Sequence, residues 1–186
     1  MKKYVGLSTA LLCFSLVAVG GSQTVKKSPG VVNLSGVVTG ASQCDGVDGN
    51  LVANCGFETG DFTAWTQSGD LSFTGVAPGV GHSGTFGAFL GPVGDQGMLT
   101  QTLPTTAGGT YTLTLWLRNG GGTPNNFYIV WDGTVIDGFV DAGVFDYVQL
   151  EYDGLVASAD GTDLTFSFLQ VPNYYYLDDI VVVPSS

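Results

Sequence analysis

Three of the carboxylates that sit in or beside apolar strand-like runs stand out for what they could hold. Glu58, one of only two glutamates, lies in NLVANCGFETGDFTAWT, residues 50–66, between an apolar stretch and a tryptophan. Asp178 and Asp179 stand side by side in YYYLDDIVVV, residues 174–183. A carboxylate inside an apolar strand is costly unless its oxygens find a partner. Calcium is one such partner, because it takes oxygen ligands from carboxylates, backbone carbonyls and water. A cation between Glu58 and one aspartate would satisfy both, provided the first and last strands lie near each other. The plainer account is that one aspartate faces solvent and the other caps loop N–H groups. DGVDGN, residues 45–50, lacks the downstream glutamate of a calcium loop and reads as a turn.

Other chemistry is thinly represented. The chain has no G-x-S-x-G elbow, no H-E-x-x-H, no P-loop and no G-x-G-x-x-G in a strand–helix setting. His82 and Ser83 adjoin in GHSG, but sequence neighbours on a strand point to opposite faces. Two carboxylates could serve a glycosidase. With sixteen acids in the chain some pair is always available, so this signal discriminates nothing. The sequence reads as that of a protein without catalytic activity.

Composition narrows the partners. The formal net charge is −11, and all sixteen acids lie at or beyond Asp45. From residue 28 onward the only basic residue among lysines and arginines is Arg118. Such a surface repels phosphate backbones and anionic lipid, which argues against nucleic acid and membrane partners. Neutral ligands and cations remain. Hydrophobic content of 44% supports a real core.

Lys2 and Lys3 followed by an apolar run from Val5 to Val19 read as a secretory signal peptide over residues 1–21, with cleavage near Gly20 or Gly21. An uncleaved anchor is the alternative, though the run is short for a membrane span. Export implies a secreted, periplasmic or cell-surface location. After cleavage only Cys44 and Cys55 remain, an even pair in an oxidising compartment, and a disulfide is expected. A zinc site is disfavoured, because His82 is the sole histidine.

Residues 22–49, rich in Gly, Ser, Val and Thr, read as a linker with a short strand within 30–38. The folded domain is expected over residues 50–184. There the chain is a series of short β-like runs separated by Gly, Pro, Asn and Asp: LVANC, LSFTGV, TFGAFLG, GMLTQTL, TYTLTLWLR, NFYIVW, TVIDGF, FDYVQLEY, DLTFSFLQ and YYYLDDIVVV. This spacing is that of a sandwich or barrel. WDGT, residues 131–134, should be a tight hairpin turn, since Asp-Gly supplies positive φ angles.

Alternation gives each run two faces. Tyr111, Leu113, Leu115 and Leu117 form a core face, leaving Thr112, Thr114, Trp116 and Arg118 opposite. Val148, Leu150 and Tyr152 likewise oppose Tyr147, Gln149 and Glu151, and Phe127, Ile129 and Trp131 oppose Tyr128. If these strands are neighbours, one surface presents Trp116, Arg118, Tyr128, Tyr147, Gln149 and Glu151 among small hydroxyls. Aromatics amid hydrogen-bonding groups suit sugar rings, which stack their apolar faces and pair their hydroxyls. The alternative is a half-wet sheet face covered by loops.

The opening stretch NLVANCGFETGDFTAWT resembles the first motif of carbohydrate-binding modules with the galactose-binding-like fold, an all-β jelly-roll sandwich of two antiparallel sheets. HSGTFGAFLG, GMLTQTLPTTAGGTYTLTLWLR and YYYLDDIVVV match further motifs in order, so the resemblance spans residues 50–184. The chain is also similar to secreted bacterial jelly-roll proteins of unknown role. The resemblance implies one structural calcium near the first and last strands, held by Glu58 and Asp178, with Asp179 as second choice and a backbone carbonyl from residues 82–85. Cys55 departs from the small or polar residue usual there. By its place in the motif Trp65 is core.

The resulting expectation is a non-catalytic module that binds a polysaccharide or glycan, with Trp116 the first stacking candidate, Tyr128 and Tyr147 next, and Arg118, Gln149 and Glu151 as polar contacts. The rival is a structural or adhesive extracellular sandwich without a sugar site.

Overall fold

A computed structural model of the chain describes residues 40–185. The leader expected over residues 1–21, most of the expected linker and the strand expected within 30–38 lie outside the described residues.

Ten strands follow one another: β1 (Thr66–Gly69), β2 (Thr74–Pro78), β3 (Phe86–Leu90), β4 (Gly97–Leu103), β5 (Thr110–Asn119), β6 (Asn125–Trp131), β7 (Thr134–Val140), β8 (Phe145–Val156), β9 (Thr162–Gln170) and β10 (Tyr175–Pro184). They form two five-stranded antiparallel sheets. The back sheet has the order β1-β4-β9-β6-β7, and the front sheet β2-β3-β10-β5-β8. This is the jelly-roll sandwich expected from the sequence.

The alternation read from the sequence builds the core. Leu113, Leu115 and Leu117 of β5 are fully buried, as are Phe127 and Ile129 of β6 and Leu164, Phe166 and Phe168 of β9. Trp65 is buried too, packed against Phe57 at 6.0 Å and Phe166 at 5.8 Å between ring centroids. The WDGT turn joins β6 to β7, with Asp132 at φ 51° and Gly133 at φ 74°, the positive values the tight hairpin needs.

In β10 the inward residues are Tyr175 and Leu177, then Ile180 and Val182. Leu177 and Ile180 are three apart, so strict alternation fails. The pairing with β5 breaks between Asp178 and Val181, which marks a bulge. Asp179 takes φ 47° within it, a left-handed conformation that aspartate tolerates better than most residues. The extra residue resets the inside–outside phase and turns both carboxylates toward the adjoining loops rather than into the sandwich.

Three expectations are corrected. LVANC forms no strand. Residues 51–64 run as turns, with Asn54 and Phe57 at positive φ, tethered to β10 by Leu51 N–H donating to Val182 O and Ile180 N–H to Cys55 O. The first strand is instead β1, four exposed residues with no apolar face, at the edge of the back sheet. Finally, residues 42–49 are not linker. Ser42 and Cys44 are buried, residues Gln43–Gly46 form a 3-10 turn, and Cys44 is bonded to Cys55 as expected.

Candidate functional site

The bulge in β10 faces the glycine-rich segment 79–84. Asp178 is 0% exposed and Asp179 3%. Asp178 Oδ2 accepts the N–H groups of His82 (2.6 Å) and Ser83 (3.0 Å), and Oδ1 accepts that of Asp179 (2.8 Å). Asp179 accepts the hydroxyls of Ser42 and Ser83 and the Cys44 N–H, and its Oδ2 lies 2.7 Å from His82 Nδ1. Burial alone would raise the Asp179 pKa, but the bonds from His82, Ser42 and Ser83 hold it below the usual carboxylate range. Asp178 has no such side-chain donors. Its burial, and then the charge of Asp179, push its pKa up to about 8.

Glu58 grips the same segment from its other end. Its carboxylate accepts the N–H groups of Thr85, shared by both oxygens at 2.9 and 3.0 Å, and of Phe86 at 3.1 Å. A Cβ on Gly84 would collide with Oε1, so only glycine, here at φ 68°, lets Glu58 approach. The three carboxylates thus pin the segment between β2 and β3 against the ends of the domain.

The fit of calcium differs among them. The lone pairs of Asp179 are taken by serines, His82 and a backbone amide, so it does not fit as a ligand. Asp178 is less fully engaged, since its Oδ1 accepts a single N–H, and it lies buried beside a second negative charge. Among the described residues the one group of three clustered ligand side chains is Cys44, Asp45 and Cys55, whose sulfurs are spent in the disulfide.

The pinned segment lies over one end of the outer face of the front sheet. The His82 ring stacks on Trp116 at 3.6 Å between centroids and 10° between planes, with Tyr147 edge-on to His82 at 5.4 Å. Tyr147 donates its hydroxyl to Val80 O at 2.7 Å, which ties the segment to β8. Register brings the rest of the face together. Gln149 pairs with Trp116 and Glu151 with Thr114. Phe89 pairs with Tyr176, and Tyr176 with Arg118. The Arg118 guanidinium lies over the Tyr176 ring, 4.7 Å from its centroid. Tyr174 meets Phe89 edge-on at 5.6 Å and Tyr176 at 6.0 Å. A Cβ on Gly75 would strike the Phe89 ring, and one on Gly91 the Tyr174 ring, so both rings rest against bare backbone.

Of the residues singled out from sequence, Trp116, Arg118, Tyr147, Gln149 and Glu151 share this face. Tyr128 does not. It belongs to β6 in the back sheet, on the opposite side of the sandwich, with its ring over Gly138. Sequence reasoning missed Phe89, Tyr174, Tyr176 and His82. Alternation through YYYLDD, with Tyr175 and Leu177 inward, would have put Tyr174 and Tyr176 outward. No local signal brings His82 onto Trp116.

No protein-family model matches the chain, and no curated protein matches it. Solved structures share its fold. A family 61 carbohydrate-binding module in complex with β-1,4-galactotriose aligns with a TM-score of 0.60 at 20% identity, over 73% of this chain and 99% of that one. A xylan-binding family 22 module aligns at 0.54 and 17% identity, over 74% and 97%. The K3 cleaved adhesin domain of Lys-gingipain from Porphyromonas gingivalis aligns at 0.51 and 14% identity, over 71% and 98%. The chain therefore shares the jelly-roll β-sandwich fold of these domains.

Proposed function

We propose that this is an exported, non-catalytic carbohydrate-binding domain whose ligand lies on the outer face of the front sheet. The observation that carries the reading is the row of half-buried aromatics Phe89, Tyr174 and Tyr176, continued by Arg118, Trp116, Gln149 and Glu151. Flat rings offer stacking area at low entropic cost, and the flanking amide, carboxylate and guanidinium groups supply hydroxyl partners. The galactotriose complex of the family 61 module, which shares this fold, supports a sugar as the ligand. Tyr128, on the other face, is no longer part of the proposed site.

Export is supported by the amino-terminal sequence and by the Cys44–Cys55 bond, which suits an oxidising compartment. Among the described residues no helix is long and apolar enough to cross a membrane. Calcium remains part of the proposal, with Glu58 and Asp178 supplying its side-chain oxygens. Its role is to neutralise charge where the loop between β2 and β3 meets β10, and not to act on a substrate.

Binding is tested by titrating the domain with a panel of soluble polysaccharides, with Tyr176→Ala and Trp116→Ala alongside and release of reducing sugar followed in the same samples. Saturable binding that Tyr176→Ala weakens, with no sugar released, supports the reading. Release of sugar would make the protein an enzyme. A second reading, adhesion through protein contacts, draws on the exposed valines Val140 and Val144, 63% and 77% exposed. It gains if no glycan binds.

A further inference from the structure

Arg118 is the only lysine or arginine among residues 40–185, in a chain with a net charge of −11. It stands on the proposed sugar face, 42% exposed, with its guanidinium stacked on Tyr176. Its one acidic neighbour is Asp146, with Nε 3.9 Å from Oδ1 and a side chain 93% exposed. A pair so long and so open to solvent contributes little. Among the described residues the guanidinium makes no hydrogen bond. The other carboxylates near this face, Asp178 and Asp179, are buried beneath the 79–84 segment and bound to its N–H, hydroxyl and imidazole groups. Glu151, a further carboxylate on this face, and Gln149 lie on the neighbouring strand β8, in register with Thr114 and Trp116.

A planar fork of N–H donors, resting over an aromatic ring and making no hydrogen bond, matches a carboxylate in bidentate geometry. The contact with the Tyr176 ring favours a position on the sugar face. We propose that Arg118 receives the carboxylate of a uronic acid unit, and that the ligand is a largely neutral polysaccharide carrying isolated uronate groups. This rests on the reading of the front-sheet face as a sugar site. The charge balance decides the density of uronate. At physiological salt, fields are screened over about 8 Å, so a carboxylate in contact with Arg118 is attracted far more than charges farther along the chain. A continuous polyuronate would carry the rest of its charge along a face where the described residues offer no second lysine or arginine, and is rejected.

The test uses matched polymers: a glucuronate-substituted xylan, the same xylan after its carboxyl groups have been reduced to alcohols, polygalacturonate, and a panel of neutral glycans. Calorimetric titration of the wild-type domain should give about tenfold tighter binding to the substituted xylan than to its reduced form, as expected for one charge-assisted hydrogen-bonded pair. Binding to polygalacturonate should be weak, and the preference should shrink in 0.5 M salt. Arg118→Gln should abolish the preference, weakening binding of the substituted xylan by about tenfold more than binding of the reduced form. Arg118→Lys should restore only part of it, because the fork is lost. Equal binding of the two xylans, or preference for a neutral glycan over both, overturns the uronate assignment and leaves sugar binding standing. Tight binding to polygalacturonate overturns the assignment of isolated uronates. Failure to bind any polymer overturns the sugar site and this inference with it.

Discussion

His82 lies flat on Trp116, and the same imidazole is held by Asp179 through Nδ1 at 2.7 Å. One face of the indole is therefore already occupied by a ring anchored to a buried carboxylate. Tyr176 is a central aromatic of the same face, with Arg118 on its ring. Tyr176→Ala is expected to weaken glycan binding about tenfold, in line with the loss of one aromatic contact. Trp116→Ala should cost less, because the pinned 79–84 segment covers Trp116 through His82, whereas the Arg118 group over Tyr176 is itself part of the proposed site. Titration of both variants against the best-bound polysaccharide ranks them, and a larger loss for Trp116→Ala would place the site over the 79–84 segment instead.

Tyr128 supplies a control. It lies across the sandwich from the proposed site. Tyr128→Ala should leave glycan affinity unchanged within error. A loss would mean that the back sheet binds.

Glu58 accepts two N–H groups, those of Thr85 and Phe86. Glu58→Ala leaves those amides without their acceptor and should destabilise the domain by about 1–3 kcal/mol in calcium-free buffer. Urea unfolding measures it. A wild-type midpoint would show that water replaces the carboxylate without cost. With calcium present the wild type should gain a further rise in melting temperature that the variant lacks.

Asp178 gives a pH dependence of unusual sign. Its native pKa, about 8, lies above the ordinary carboxylate value, so the native state binds the extra proton between about pH 4 and that value. Stability of the calcium-free protein should therefore fall as pH rises through this window. Asp179 works the other way, but its lowered pKa confines that effect to more acidic solution. Thermal melts in chelator at pH 5 and pH 8 should show the higher melting temperature at pH 5. Calcium should raise stability most at pH 8, where Asp178 is ready to ionise. A calcium-free melting temperature that rises from pH 5 to pH 8 would refute this account.

The Cys44–Cys55 bond closes a loop with a sequence separation of 11. Replacing both cysteines by serine should cost about 2–3 kcal/mol, chiefly through a freer unfolded chain. Differential scanning calorimetry of the double variant gives the value. A much larger loss would mean that Ser42 and its bond to Asp179 depend on the bridge.

The sequence by itself determined the fold class. The period-two alternation in β5, β6 and β9 selects which residues are buried without reference to any partner strand, because side chains of a strand point to alternate faces. It also located the hairpin turn that needs Asp-Gly, and the disulfide, since Cys44 and Cys55 are the only cysteines beyond residue 21. Its failures were local too. LVANC is apolar enough for a strand but runs as turns, and TQSG has no apolar face yet forms β1, because an exposed edge strand needs only a backbone partner.

Which strands share a surface was left to the tertiary structure. Consecutive strands β5 and β6 enter different sheets, so Tyr128 and Trp116, both outward-facing, end on opposite sides of the molecule. Register across β3, β10 and β5 then placed Phe89, Tyr176 and Arg118 in one row, although they come from distant parts of the chain. The bulge at Asp178 and Asp179 decided that two adjacent carboxylates hold the loop bearing His82. Alternation is a property of each strand alone, whereas pairing and register depend on hydrogen bonds between strands far apart in sequence.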